Sequence, residues 1–446
     1  MSESQTRPYA VIGAGPMGLV MARELARYGV PFQGFELHSG AGGLWDIENP
    51  HSTMYESAHL ISSKTMTELK EFPMPDSVAT YPSHRDVGAY FKAYAKHFNL
   101  DEQYQYNAKV LGIEKVESDY WKITWENTQT GDTQVFDAQG VLIATGTLHY
   151  PNMPKVPGNF TGEVIHSGDY KKAESFKDQR VLIVGCGNSG CDIAVDAVHH
   201  AKSVGLSVRR GYYFLPKFVL GKAIDTLGGK LKLPGKLKRW VDSLIVRALV
   251  GKPSQYGLPE PDYRLYESHP VMNSLILHHL GHGDISPMGS ITDTQDKLVK
   301  FHDGKEAEFD KIVFATGYKL KFPFIDQKYL NWQTSAPHLY LNVFNPNEPN
   351  VCMLGMVEAT GLGWQGRADQ AKMVALYLKA QQGLGVPSAI EHRIEENNTD
   401  LSGGMKYLKL DRMSYYVHKE TYLGLLSDHI AKLENHLNLK DSNTNA

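Results

Sequence analysis

"YAVIGAGPMGLVMARELARYGVPFQGFE", Tyr9 to Glu36, opens with four apolar residues that run straight into Gly13, Gly15 and Gly18. Leu19, Ala22, Leu25 and Ala26 then recur at helical spacing, Gly29 stands where a helix ends, and Pro31 to Glu36 reads as a second strand. Strand, glycine turn, helix and strand form the start of a βαβ unit. Gly13 permits the tight turn, Gly15 lets backbone N–H groups approach a pyrophosphate at the helix N-terminus, and Gly18 lets helix and strand pack closely. Glu36, 23 residues after Gly13, sits where a carboxylate binds ribose hydroxyls. Glycine turns also occur for backbone reasons alone. Here the strand, helix, second strand and terminal acid all agree, which reads as a dinucleotide-binding turn.

The pattern returns in "QRVLIVGCGNSGCDIAVDAVHHAKSVGLSVRR", Gln179 to Arg210. A strand, Val181 to Val184, leads into Gly185, Gly187 and Gly190; a helix runs to about His200 and a strand ends near Val208. The position matching Glu36 is basic, with Arg209 and Arg210 at 24 and 25 residues after Gly185. No carboxylate is there to repel a 2′-phosphate, and a planar guanidinium holds one bidentately, so NADP(H) rather than NAD(H) is expected. A solvated turn is the ordinary alternative, and Lys217 is a weaker candidate for the same role. One acid-terminated and one arginine-terminated unit in a single chain point to FAD plus NADPH, with hydride passing from one to the other.

The 446 residues suggest two or three domains, and 42% hydrophobic with 21% charged residues is ordinary for a soluble globular protein. A net charge of −3 does not suggest nucleic acid as a partner. Three cysteines, Cys186, Cys191 and Cys352, are too few for a disulfide framework. No signal peptide and no apolar run of membrane-spanning length is read, so a cytoplasmic protein without a transmembrane anchor is expected.

Two further stretches share a pattern. Ala144-Thr145-Gly146 follows one apolar strand and Ala315-Thr316-Gly317 another, each a small tight turn where backbone approaches a cofactor or crosses between domains. The expected architecture is α/β: two Rossmann-like dinucleotide-binding domains, with an NADP(H) domain (171–309) inserted into a discontinuous FAD domain (1–170 and 310–446). "GLGWQGRADQAKMVALYLKAQQ" reads as a loop entering a helix with Ala371, Val374, Ala375 and Leu378 on one face. Its N-terminus is either placed to stabilise negative charge on a reduced flavin or simply part of a packing helix. "KLKRWVDSLIVRALV" puts Leu237, Trp240, Val241, Leu244, Ile245 and Ala248 on one face of a helix, which core packing explains better than a lid or a membrane surface.

These residues resemble a family, the flavin-containing monooxygenases among the class B flavoprotein monooxygenases. "FTGEVIHSGDY" fits the family fingerprint through Phe160, Gly162, His166 and Tyr170, and "FATGYKLKFP" fits its second signature through Phe314 to Tyr318 and Pro323. "FELHSGAGGLW" is similar to its acid-then-GGxW segment, through Glu36, Gly43, Leu44 and Trp45. The resemblance covers almost the whole chain in the right order. It implies that NADPH reduces FAD and that O2 forms a flavin C4a-(hydro)peroxide. That intermediate passes one oxygen atom to a soft nucleophile such as an amine or sulfide, or in some relatives inserts it beside a ketone. It also implies that Gly13, Ala14, Gly15, Pro16, Met17 and Gly18 cradle the FAD pyrophosphate, that Glu36 holds its ribose, and that Leu44 and Trp45 lie along it. Gly185, Gly187, Asn188, Ser189, Gly190 and Asp192 match the NADPH turn and helix start. A homodimer is a family expectation.

One departure bears on catalysis. Where the family places an asparagine near flavin and nicotinamide, similarity at "SSKTM" puts Ile61, which donates no hydrogen bond. Either Ser62 or His59 substitutes, or leaky peroxide release and an uncoupled NADPH oxidase follow. His166 is expected to fix the placement of the two domains rather than trade protons with substrate. A Baeyer–Villiger oxygenase is the near alternative, disfavoured because its linker commonly ends in Trp where this one ends in Tyr170. A flavin disulfide reductase requires a cysteine pair at the flavin, and Cys186 and Cys191 lie instead inside the second turn. A non-enzymatic redox sensor has only the Ile61 departure in its favour. His278 and His282 have a helical metal-ligand spacing, but no HExxH accompanies them, and no metal site is expected.

Overall fold

A computed structural model describes residues 7–117, 120–227 and 235–439. The first strand, Tyr9–Ile12, is the middle of a five-stranded parallel sheet in the order Val351–Met353, Val141–Ile143, Tyr9–Ile12, Phe32–Phe35, Tyr104–Gln105. A second five-stranded parallel sheet runs Glu163–His166, Lys311–Phe314, Arg180–Val184, Ser203–Ser207, Ile285–Met288. Both are covered on two faces, which is why their strands read as unbroken apolar runs such as YAVI and VLI rather than alternating ones.

The two sheets follow one plan. In each, the strand feeding the glycine turn lies between the strand that closes the βαβ unit and the strand that ends in Ala-Thr-Gly. The repeated Ala-Thr-Gly is therefore the same structural position occurring twice.

Strand pairing moves the expected division at 170 and 310. Glu163–His166 and Lys311–Phe314 fall in the stretches assigned from sequence to the FAD domain, yet both hydrogen-bond into the second sheet. A four-residue apolar strand carries no mark of which sheet it joins. The parallel register decides it, with Val184 opposite Phe314 and His166 opposite the same residue on the other side.

Helix Pro16–Arg27 packs on Gly363–Gln382, which packs on Lys419–His436. The middle helix is buried on most of its circumference: Met373, Leu376 and Tyr377 are covered as well as Ala371, Val374, Ala375 and Leu378. Gln370 inside it is satisfied, donating to Tyr422 Oη at 2.6 Å and accepting from Gly355 N at 2.9 Å.

The helix Gly235–Val250 forms as its periodicity predicts, but its apolar face is not core. Leu237, Trp240, Leu244 and Ile245 are 46%, 62%, 47% and 51% exposed, and the helix docks instead through Val246. Val246 belongs to a small separate cluster with Leu215, Leu265 and Met272, too small to cover a helix face six apolar residues wide.

Candidate functional site

The first turn has the geometry its glycines require. Gly13 has φ +108°, and a Cβ there would lie 2.8 Å from Ala144 O. A Cβ on Gly18 would lie 1.8 Å from Gly13 O, so the helix meets the strand only because residue 18 has no side chain. A Cβ on Gly15 would find only Gly43 Cα, at 3.7 Å. Gly15 is therefore glycine for something beyond the protein's own packing, which fits a phosphate reaching the N–H groups at the start of Pro16–Arg27. Gly42 N–H donates to Ala14 O at 3.0 Å, and this seats the short helix Gly43–Trp45 over the turn. Trp45 meets Trp364 edge to face with ring centroids 6.2 Å apart.

Glu36 ends the second strand and is buried. Its Oε2 accepts the Ala14 N–H at 2.5 Å and its Oε1 the His38 N–H at 2.8 Å. Burial pushes its carboxyl pKa up, and those N–H bonds pull it back. The carboxylate is thus fixed in orientation with lone pairs remaining for hydroxyl donors. Glu36→Ala orphans the Ala14 N–H and removes a charge-assisted acceptor. FAD retention, read as visible flavin absorbance of the purified protein, is expected to fall by roughly 10- to 100-fold in affinity.

The second turn repeats these contacts. Gly185 has φ +111°, its Cβ would lie 2.5 Å from Ala315 O, and a Cβ on Gly190 would lie 2.1 Å from Gly185 O. A Cβ on Gly187 would meet nothing within 4 Å. Each alanine of the two Ala-Thr-Gly turns thus places its carbonyl on the first glycine of its own nucleotide turn. Asn188 at the helix start accepts Met272 N–H at 2.8 Å, and Ser189 follows it in the helix Asn188–Val198. Asp192 is engaged within the protein, accepting from Tyr55 Oη at 2.9 Å and Asn273 Nδ2 at 2.6 Å. It ties the loop before Ile61 to the nucleotide helix and to the insert. Burial raises its pKa, with those two donors opposing.

The two expected arginines differ. Arg210 Nε lies 2.6 Å from Asp262 Oδ1, and its guanidinium stands over the Tyr263 ring. Arg209 is exposed and has no ion pair among the described residues. Cys186 and Cys191 sit in this turn with sulfurs 3.6 Å apart, both buried. Cys352 is in strand Val351–Met353, its thiol pushed by burial up to about 12. No cysteine pair accompanies the first turn, as a disulfide reductase would require.

Past the Ala-Thr-Gly turns the chain crosses between units. Tyr150–Pro151 pairs antiparallel with Tyr318–Lys319, and Thr316 Oγ1 donates to Asn152 O at 2.6 Å. His166 joins this crossing. Its Nδ1 accepts Gly168 N–H at 3.1 Å, so the proton is on Nε2, which donates to Gly317 O at 3.0 Å. Both nitrogens are occupied by backbone, the residue is buried, and burial lowers its pKa. Tyr170, at the end of the same fingerprint, stacks on Phe176 and donates to Asp196 Oδ2 at 2.9 Å.

Ile61 packs against the cluster of Leu215, Val246, Leu265 and Met272. Neither neighbour offers a free proton in its place. Thr67 Oγ1 donates to Ser63 O at 2.7 Å, so the 2.7 Å contact between Ser62 and Thr67 hydroxyls uses the Ser62 proton. The His59 ring turns back to Ser57 O at 2.8 Å. Ser63 N–H donates to Asp225 Oδ2 at 2.7 Å, which anchors this loop to the insert.

Tyr55, Asn273 and Trp364 were not picked out by sequence reasoning. They lie in loops or at a helix start with no motif, and distant parts of the chain place them.

Two glycine turns on two parallel sheets, joined by a paired crossover, define a two-dinucleotide flavoprotein. The chain matches the flavin-binding monooxygenase-like family over residues 6–432. It is 30% identical to flavin-containing monooxygenase 1 of Mus musculus, over 91% of this chain and 81% of that protein. In fold it is similar to the S-allyl-L-cysteine S-oxygenase of Allium sativum (TM-score 0.66, 21% identity, 96% of this chain and 89% of that one). It is also similar to a cyclohexanone monooxygenase mutant from Rhodococcus sp. Phi1 bound to NADP+ (TM-score 0.72, 17% identity, 96% and 98%). The chain belongs to the flavin-containing monooxygenase family. It is an oxidoreductase of a flavin-binding family. No helix among the described residues is long and apolar enough to cross a membrane.

Proposed function

We propose that this protein is an NADPH- and FAD-dependent monooxygenase that transfers one atom of O2 to a small soft nucleophile, at nitrogen or sulfur. The observation that carries the reading is the pair of nucleotide turns, one closed by buried Glu36 and the other opening onto Arg209, on two sheets whose Ala-Thr-Gly turns lead into the paired strands Tyr150–Pro151 and Tyr318–Lys319. The bound cofactors supply hydride transfer and oxygen activation. Gly13, Ala14, Gly15, Pro16, Met17 and Gly18 hold the FAD pyrophosphate, Glu36 the ribose, and Gly43, Leu44 and Trp45 lie along the cofactor. Ala144, Thr145 and Gly146 close that turn. Gly185, Gly187, Asn188, Ser189 and Gly190 hold NADPH, with Arg209 at its 2′-phosphate. Asp192 positions this turn through Tyr55 and Asn273 rather than touching a phosphate.

Ile61 packs on the Val246 cluster and donates no hydrogen bond, which disfavours coupling. A panel of a sulfide, a tertiary amine and a cyclic ketone, with NADPH consumption, peroxide release and products measured together, tests the reading. Sulfoxide or amine oxide is the expected product. A lactone alone assigns the enzyme to ketone oxygenation, and peroxide alone makes it an oxidase. Ile61→Asn is expected to lower peroxide release per NADPH severalfold, at a stability cost of about 1–3 kcal/mol for an amide placed against the Val246 cluster. Unchanged peroxide release would clear Ile61 as the source of uncoupling.

A further inference from the structure

Helix Gly235–Val250 turns its apolar side away from the protein. Contacts fix the inward side. Val246 is buried, Arg239 Nη1 donates to Met405 Sδ at 3.1 Å, and Tyr266 Oη donates to Asp242 Oδ2 at 3.1 Å. Arg239, Asp242 and Val246 follow one another at helical spacing and so share that side. Leu237, Trp240, Val241, Leu244, Ile245 and Ala248 recur on the opposite one. Lys238 and Arg247 border the apolar face, one at each edge. An ordinary surface helix does the reverse, burying its apolar stripe and exposing its charges.

A second apolar projection stands on the same small cluster. Phe218–Val219 pairs with Lys222–Ala223 in a hairpin whose tip is Leu220 and Gly221. Ile224, at its foot, packs against the cluster that holds Val246. Leu220 is 96% exposed and has φ +49°, a left-handed conformation that favours glycine or asparagine. Neither packing nor backbone preference accounts for a leucine there. Phe218 beside it is half exposed, and Lys217 and Lys222 flank the tip.

Charge distinguishes what could cover these groups. Residues 217–252 contain nine Lys or Arg against two Asp, a net +7 in a chain whose net charge is −3. Two copies meeting face to face would set these positive segments against each other. The two acids could not offset them, because Asp225 already accepts the Ser63 N–H and Asp242 is paired with Lys238. An anionic bilayer surface accepts both features. Trp and Leu enter the boundary between headgroups and acyl chains, while Lys and Arg meet the lipid phosphates.

We propose that this helix and hairpin seat the protein on an anionic lipid surface, the helix lying in the plane of the interface and Leu220 entering it as a wedge. The protein rests on the bilayer through this face rather than spanning it. The assignment is independent of the oxygenation chemistry.

The test is flotation of the FAD-loaded full chain with vesicles of phosphatidylcholine, with and without phosphatidylglycerol. Flotation with the anionic vesicles is expected, and it should fall as salt rises from about 0.1 M to about 0.5 M. Leu244→Ser combined with Ile245→Ser is expected to lower binding by roughly tenfold or more, and Leu220→Ser by a smaller factor. None of these residues belongs to either nucleotide turn, and all three are exposed. Flavin content and reduction by NADPH in solution are therefore expected to match those of the unaltered protein, which shows that the variants fold. No flotation, or equal flotation with neutral vesicles, overturns the proposal. Unchanged flotation of the double variant does so too, because the contact would then lie elsewhere on the chain. A dimer by light scattering that the double variant abolishes, without vesicle binding, would assign the face to a second copy instead.

Discussion

Gly190→Ala is expected to keep its flavin and to lose reduction by NADPH. The added Cβ would lie 2.1 Å from Gly185 O and 3.2 Å from Ala315 Cβ. The first of these is backbone at the base of the turn and does not move aside as a flexible side chain does. Helix Asn188–Val198 must therefore lift from strand Arg180–Val184, carrying its N-terminal N–H groups away from the phosphate position. Stopped-flow reduction by NADPH is expected to slow more than about 100-fold at fixed nucleotide. Flavin content is set by the other sheet and stays normal. Gly187→Ala separates approach from packing. Nothing of the protein lies within 4 Å of its Cβ, so the fold is untouched and only the nucleotide is crowded, with about a tenfold rise in the NADP+ dissociation constant. Normal reduction of Gly190→Ala by NADPH would place the hydride donor elsewhere.

His166→Ala is expected to destabilise the protein by about 2–4 kcal/mol, because it orphans Gly317 O and Gly168 N–H in a buried crossing. The effect depends on pH with a definite sign. The folded-state pKa of His166 lies below the ordinary value of 6.5, so its contribution is full above that value and is lost as pH falls through it toward the lowered one. Protonating Nδ1 sets an N–H against the Gly168 N–H. The gap in melting temperature between the two proteins is therefore expected to be wide near pH 8 and to narrow by about pH 5. A pH–rate profile that keeps both limbs in the variant supports a positioning role. Loss of one limb would show instead that His166 carries a proton in the reaction.

Legibility of the site followed the range of the forces that build it. The glycine turns were readable because their requirements are local. A positive φ at Gly13 and Gly185, and the 1.8 Å and 2.1 Å overlaps that side chains at Gly18 and Gly190 would make, depend on residues a few positions apart. Glu36 was readable for the same reason, since it ends the adjacent strand. Arg209 and Arg210 were indistinguishable in sequence and are distinguished only by Asp262, which reaches one of them from 52 residues away. Asp192 matched a nucleotide motif, yet Tyr55 and Asn273, 137 and 81 residues distant, occupy its carboxylate. The helix Gly235–Val250 shows the limit of periodicity. Its spacing correctly specified a helix and an apolar face, but whether anything covers that face depends on neighbours elsewhere in the chain.

The sequence by itself determined two dinucleotide turns, their acid and arginine endings, the family they belong to, and the isoleucine at a position where a hydrogen-bond donor is expected. Only the tertiary structure decided which sheet takes the strands Glu163–His166 and Lys311–Phe314, why Ala-Thr-Gly occurs twice, and that both His166 nitrogens are bound to backbone. A turn is specified by steric limits within a few residues, which a sequence records directly. Strand partnership and the pairing of charges are settled by long-range packing, where many positions along the chain satisfy the same local rules and only one arrangement buries both cores at once.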